Sequence, residues 1–269
     1  MTDPGVLKRL AGAMPDIPRW LETRSMLLSG SCDVFGLAET PETSFVARDR
    51  AFGLVCVVGA PGAHAIREAV ALSAGRGVLV CQLEDQEHVV AALPDWPASP
   101  ASLHLMGDAS RLPRLLSTGP GGMIVREFVE PKAIPVPVGR AGEDVVARFL
   151  SHDEMDLAPD LPPDLRAELE IAFLVSRVAA TLVGGRPGSF CYSASVTESL
   201  WDISIDTLES YRRKGYAALC VAYMVDQMYR QQKRPVWGAE ESNVASTRLA
   251  RKLGFVPVDR VLVFHPPGC

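Results

Sequence analysis

The chain has 269 residues, of which 48% are hydrophobic, and a formal charge of −5 at pH 7. That length and apolar share fill one large core or two ordinary ones, and Lys and Arg scattered on an acidic background exclude a nucleic-acid surface as the main purpose, so any anion it binds should be small. No window reaches the ~18 consecutive apolar residues of a membrane span, and "MTDPGVLKRLAGAMPDIPRW" has neither a signal-peptide apolar region nor the Arg/Ser bias of a transit peptide, so a soluble, cytoplasmic protein without a membrane partner is expected.

In chain order, one or two helices are expected between residues 4 and 28. Three short buried strands follow, "AFGLVCVVG", "GVLVCQLE" and "SLHLMG", separated by the helical stretches "AHAIREAVALSA" and "DQEHVVAAL". This β-α-β-α-β order predicts a small α/β layer. "GAPGAH" at 59–64 lacks the Walker lysine and the full G-x-G-x-x-G spacing, and reads as a plain strand-to-helix turn. The Gly/Pro punctuation "STGPGGM" at 117–123 marks a boundary, giving an N-terminal α/β domain over 1–120 and a second domain over 121–269. Beyond it "GMIVREFVE" reads as a strand, and 142–180 as two helices around the acidic loop "SHDEMDLAPDLPPD". "ATLVGG", "GSFCYSASV" and "SLWDISID" then alternate with period two and predict an antiparallel meander. From Tyr216 to about Gln232 the apolar residues Ala217, Val221, Met224, Val225 and Met228 recur at helical spacing. "RPVWGAE" predicts a strand, "NVASTRLARKL" a helix stopped by Gly254, and "FVPVDRVLVFH" a closing strand. The six cysteines are widely spaced, several inside apolar strand-like runs, and the five histidines are dispersed. They are read as reduced thiols, with no metal site.

One stretch asks for a chemical reason. "SYRRKGYAALC" crowds Arg212, Arg213 and Lys214 before a glycine at the head of a helix, where the macrodipole is already positive. An anion bound to the unpartnered N–H groups of the first turn would supply one. The R-x-x-G-x-A pattern of Arg212, Gly215 and Ala217 resembles the acyl-CoA pyrophosphate loop of the GNAT superfamily of N-acetyltransferases. "WGAEESNVASTRLARKLGF" resembles the family's later segment, in which an asparagine opens a helix that ends in a Leu-Gly-Phe strand start. The resemblance covers about residues 123–269. It implies a GNAT-type mixed sheet flanked by helices in that half, within an overall α/β (α+β) class. For the N-terminal half, a degenerate GNAT-like repeat stays open as an alternative to an unrelated α/β domain.

The resemblance also implies acetyl-CoA as co-substrate and no metal. The loop Arg212, Arg213, Lys214, Gly215, Tyr216, Ala217 and Ala218 would cradle the pyrophosphate, Gly215 letting the backbone approach. "LWDISID" would splay from "PVWGAE", exposing backbone at Ile203 and Ile205 to the pantetheine arm. Asn243 would hold the coenzyme from the other side or cap its helix, two compatible roles. Acyl transfer to an amine needs a base and a path for the amine proton. Asp202 is favoured, with Glu198 and Glu240 as further candidates. The tyrosine that many GNAT enzymes use to protonate the leaving thiolate is replaced here by Ala250. Tyr192, Tyr211, Tyr216, Ser246 or water remain as substitutes. The acids between Asp153 and Asp164 would offer a negative rim to a cationic amine, or act as solvated caps. The expected function is therefore N-acetyl transfer from acetyl-CoA to a primary amine or amino-terminal substrate by direct attack in a ternary complex. The alternative is a non-catalytic acyl-CoA-binding or sensor protein. The N-terminal half would shape the acceptor pocket or an oligomer contact, a homodimer being one arrangement, while the segment 123–269 would hold coenzyme alone.

Overall fold

The computed structural model describes residues 3–36, 43–73, 79–107, 116–117, 122–124 and 144–268. The chain begins with helices α1 (Pro4–Ala13) and α2 (Leu21–Ser29). Asp3 caps α1 by accepting from the N–H groups of Gly5 and Val6. Then come β1 (Cys32–Phe35), β2 (Phe45–Asp49), β3 (Val55–Val58), α3 (Ala63–Leu72), β4 (Leu79–Cys81), α4 (Gln86–Ala92), β5 (Ala98–Met106), β6 (Leu116–Ser117) and β7 (Gly122–Ile124). The second half holds β8 (Val145–Phe149), α5 (Pro163–Val175), β9 (Ala179–Val183), β10 (Arg186–Tyr192), β11 (Leu200–Asp202), β12 (Ser204–Thr207), α6 (Tyr216–Arg230), β13 (Arg234–Glu240), α7 (Val244–Lys252) and β14 (Phe255–Phe264).

Two sheets result. One has the order β1-β2-β3-β4-β14-β5-β13-β11, the other β12-β10-β9-β8-β7-β6. In the first, β3 runs parallel to β4 and β11 parallel to β13, while the central neighbours β14 and β5 are antiparallel. The string β3-α3-β4-α4-β5 therefore recurs as β11/β12-α6-β13-α7-β14. Each string gives its last strand to the other: β14 lies against β4, and β5 against β13. The order β3-β4-β14-β5-β13-β11 reads alike from both ends, so the chain contains an internal repeat with exchanged final strands.

Several expectations meet a different outcome. The expected boundary after residue 120 does not divide the hydrogen bonding, because β14 has both its neighbours, β4 and β5, in the first half. The expected helix at the start of 142–180 is strand β8, whose Val145 and Ala147 turn inward against β9. Pairing with a waiting edge overrides a weak helical pattern there. "SLWDISID" is not one arm of a meander: it breaks at Ile203 into β11, in one sheet, and β12, antiparallel to β10 in the other. Strands β1 and β2 carry interleaved charges, Asp33 bonding Arg48 and Arg50, and escape a hydrophobic-period reading.

The largest core packs α6 between the two sheets, around Tyr216, Leu219, Met224, Trp237 and Phe255. A second joins the halves, with Leu10 and Met26 of the first helices, Cys56 and Leu103 meeting Val261 of β14. Five cysteines, Cys32, Cys56, Cys81, Cys191 and Cys220, are buried free thiols as expected. Among the described residues no helix is long and apolar enough to cross a membrane.

Candidate active site

The loop ahead of α6 is built to present N–H groups. Arg212 is extended, whereas Arg213 (φ 62°) and Gly215 (φ 87°) both lie in the left-handed region on either side of Lys214. Such a succession turns adjacent backbone N–H groups to one side and makes an anion-binding concavity. Leu219 N–H bonds back to Gly215 C=O at 3.2 Å, so Ala217 and Ala218, nearer the helix start, have no carbonyl one turn back to accept theirs. The three cations are exposed, and no carboxylate pairs with them among the described residues. Arg212 Nε holds the Thr207 carbonyl at 3.0 Å, which closes the turn from β12. The Lys214 ammonium sits 5.8 Å from the centre of the Tyr211 ring.

Between β12 and β13 the sheet opens. The β11–β13 ladder ends at Asp202 opposite Val236, with a last bond from Ile203 N–H to the Val236 carbonyl at 2.9 Å. Ile203 N–H is thereby used by the protein, which corrects the expectation that it is free for a ligand. Ile205, past the break, pairs with Cys191 on one side and lies on the edge strand of its sheet. The parting of a parallel pair leaves two open backbone edges beside the anion loop.

Asp202 stands at that parting. Its Oδ1 accepts from Ser195 N–H at 2.8 Å and from the Ser193 hydroxyl. Burial outweighs these bonds and pushes its carboxyl up to about 6. It lines a cavity of about 660 Å³ between the halves, faced by Glu22, Ser25, Met26 and Ser29 of α2, by Phe52 and Leu54 before β3, and by Ile171, Leu174 and Val175 of α5. Glu22 is pushed up to about 7 by burial and then by the Asp202 charge. The N-terminal helices also hold the strip that carries Asp202. Ser25 Oγ accepts from Val196 N–H at 2.9 Å, and Asp16 accepts from the Thr197 hydroxyl at 2.6 Å and from Ser199 N–H at 2.8 Å. Glu22 was not singled out in the sequence. The available signal is polar: Glu22, Ser25, Met26 and Ser29 fall at helical spacing on one face, where a core-facing helix would be apolar.

The other candidates are placed elsewhere. Glu198 is bound at 2.8 and 2.6 Å by Arg24, which holds its carboxyl below the usual range, and it joins the halves rather than facing the cavity. Glu240 lies 3.1 Å from His265 at the far end of β13. Asn243 caps α7, its Oδ1 accepting from Ser246 N–H at 3.0 Å. Ala250 is fully buried in the core under α7. Of the substitutes for the missing tyrosine, Tyr192 OH lies 2.7 Å from Glu168 and 3.0 Å from Asp206, and the Ser246 hydroxyl accepts from Trp237 at 2.9 Å. Tyr211 and Tyr216 lie with their ring centres 6.1 Å apart. The acidic loop does not line the junction. Glu154 is held by Arg148, Asp156 by Arg166, and Asp160 and Asp164 face a separate hollow beside Arg212.

Parallel strands that part where an N–H-rich loop opens the intervening helix define an acyltransferase fold. The family model for GNAT acetyltransferase matches residues 180–264, within the C-terminal half. Solved structures share the whole fold. A GCN5-related N-acetyltransferase-like protein from Streptococcus suis is 17% identical, covers 97% of this chain and 98% of its own, and has a TM-score of 0.63. A GCN5-related N-acetyltransferase from Kribbella flavida is 16% identical over 97% of this chain and 95% of its own, with a TM-score of 0.55. A tandem GNAT protein from the clavulanic acid biosynthesis pathway is 15% identical over 100% and 97%, with a TM-score of 0.56. No curated protein sequence matches the chain. The likeness to these structures is one of fold, a mixed α+β sheet flanked by helices, and the match to the GNAT acetyltransferase family model supports acyl transfer in general.

Proposed function

We propose that the protein is an acyl-CoA-dependent N-acyltransferase that passes an acetyl group from acetyl-CoA to a small-molecule amine by direct attack in a ternary complex. The observation that carries this reading is the position of Asp202, a carboxylate of raised pKa where the strands part, on the wall of the junction cavity. The backbone of Arg212 to Ala218 would receive the pyrophosphate, the open edges at Ile205 and Trp237 the pantetheine, and the cavity the amine. Asn243, already a helix cap, would border the coenzyme from the β13 side. Asp202 serves as the base: its hydrogen bonds fix its orientation, and a pKa near 6 lets it accept a proton at neutral pH and return it. With Ala250 in place of a tyrosine acid, the thiolate leaves unaided or takes that proton back. Placement of the amine against an already activated thioester supplies much of the rate.

The test is thiol release from acetyl-CoA with a panel of amines. Asp202→Asn should lower kcat by roughly 100-fold while the CoA dissociation constant stays put. Wild-type turnover by this variant would remove Asp202 from the chemistry. Ala250 favours a second reading, a non-catalytic acyl-CoA sensor. That reading predicts coenzyme binding without thiol release for any amine.

A further inference from the structure

The junction cavity is lined by charge of one sign. Three carboxylates line it, Glu22, Asp49 and Asp202, and no lysine, arginine or histidine among the described residues does. Asp49 is committed to its own turn, accepting from the N–H groups of Ala51 at 2.8 Å and Phe52 at 2.6 Å and from the Ser31 hydroxyl at 3.1 Å. Asp202 is held by Ser193 and Ser195. Glu22 has no cationic partner among the described residues, and Asp202 is the charge that acts on it. Two half-buried carboxylates that repel each other are stabilised by a proton or a cation between them. The remaining wall pairs the hydroxyls of Ser25, Ser29, Ser31 and Ser195 with an apolar stretch, Met26, Phe52, Leu54, Ile171 and Leu174, and Leu174 stays 85% exposed beside it.

We propose that the acceptor is a monocation, a primary amine on an apolar body that carries no carboxylate of its own, and that Glu22 of the first half receives its ammonium against Asp202. The inference rests on the acyl-transfer reading for its chemical step and on the cavity alone for its binding step. The ammonium gives one proton to the Glu22 carboxylate. The freed lone pair forms the C–N bond at the thioester carbonyl, the nitrogen's second proton passes to Asp202, and the C–S bond breaks with its electron pair leaving on sulfur. Asp202 returns its proton to the thiolate, and Glu22 releases the first to solvent. Ammonium and acetyl-CoA thus become the N-acetyl amine, CoA thiol and one proton.

The matched probes are 2-phenylethylamine and phenylalanine, the same body without and with a carboxylate, tested on the full chain. Steady-state thiol release with acetyl-CoA is measured beside calorimetric binding of each probe without coenzyme. The amine should be preferred by roughly 100-fold in kcat/KM, since a like charge against two carboxylates costs several kcal/mol. Glu22→Gln should lower kcat/KM for the amine by roughly 100-fold, move the acidic limb of its pH profile and leave CoA affinity unchanged, while Glu22→Asp recovers part of the loss. Equal use of phenylalanine, or a Glu22→Gln variant with wild-type rates and pH profile, overturns the proposal. If neither probe is turned over but 2-phenylethylamine binds and Glu22→Gln abolishes that binding, the cation site stands and the acyl-transfer reading falls. If neither probe binds or reacts, the proposal is overturned.

Discussion

Glu22→Gln should make the free protein more stable, and only above a defined pH. Burial, then the charge of Asp202, lifts the Glu22 carboxyl from 4.5 to about 7. Asp49 also lines its cavity, and the Cys56 thiol lies within reach of its charge. A folded-state pKa above the unfolded value means that stability is complete below pH 4.5 and declines as pH rises through 7. One pKa unit corresponds to ~1.4 kcal/mol, so the carboxylate costs about 3 kcal/mol once fully ionised. Glutamine has nothing to ionise. The variant should match the wild type at pH 4.5, gain progressively between 5 and 7, and hold a plateau of about 3 kcal/mol at pH 8, which for a chain of this size is roughly 6–12 °C in Tm. Thermal melts by circular dichroism across that range, without coenzyme or amine, measure it. A gain of equal size at pH 4.5 and pH 8 would show that packing, not charge, separates the two proteins, and no gain at pH 8 would refute the burial argument outright.

Three further outcomes are expected. Gly215→Val forces a β-branched residue to φ 87° and places a Cβ where the pyrophosphate would approach the protein backbone, so millimolar CoA should no longer raise Tm, while circular dichroism of the free protein stays near wild type. Glu198→Gln removes an ion pair whose acid is 53% exposed; chemical denaturation should find a loss under ~1 kcal/mol, and kcat should be unchanged, unlike a base variant. The segment 123–269 made alone leaves β14 without either of its neighbouring strands, so it should fail to give a cooperative melt or to bind CoA. A folded, CoA-binding fragment would show that β14 can reach β13 directly.

How much of this was legible in the sequence depended on whether the cause was local. The anion loop was, because Gly215, the cations and the amphipathic run of α6 are neighbours in the chain and each has a local reason to be there. The elements β3 to β5 and α6 to β14 were legible for the same reason: period, caps and glycine stops act over a few residues. The exchange of β5 and β14 was not, since a strand's pattern states that it is buried and not beside which partner. The break at Ile203 was half visible: the alternation of "LWDISID" is continuous, and only pairing with two different sheets divides it. Glu22 was hidden most completely. Its chemistry comes from Asp202, which lies far away in sequence and reaches it only through the packing of α2 on the strip from Ser193 to Ser199. Glu198 misled for the converse reason, because a carboxylate next to the strand of Asp202 gives no sign in the sequence that Arg24 will claim it.

The repeat also explains why a chain with two related lobes should build one site. The turn equivalent to the anion loop follows β3, and its backbone N–H is already occupied: Gly59 N–H donates to Asp85 Oδ2 at 3.0 Å. A Cβ at Gly59 would come within 2.1 Å of the Thr43 carbonyl oxygen, so the turn is also closed sterically. A carboxylate where a phosphate would bind repels one, and no cation cluster like Arg212 to Lys214 follows it in "GAPGAH". Having no anion to hold, the first lobe is free to serve the second. It lends β5 to complete the sheet beside β13, and it turns the polar face of α2 across the pseudo-symmetric junction toward α5. On the proposed reading, an acceptor wall drawn from the first lobe could change without disturbing the coenzyme loop, since the two are supported by different strands. On the proposed reading, the charge of Glu22 would therefore set which amine enters while Gly215 and its neighbours go on holding the same coenzyme.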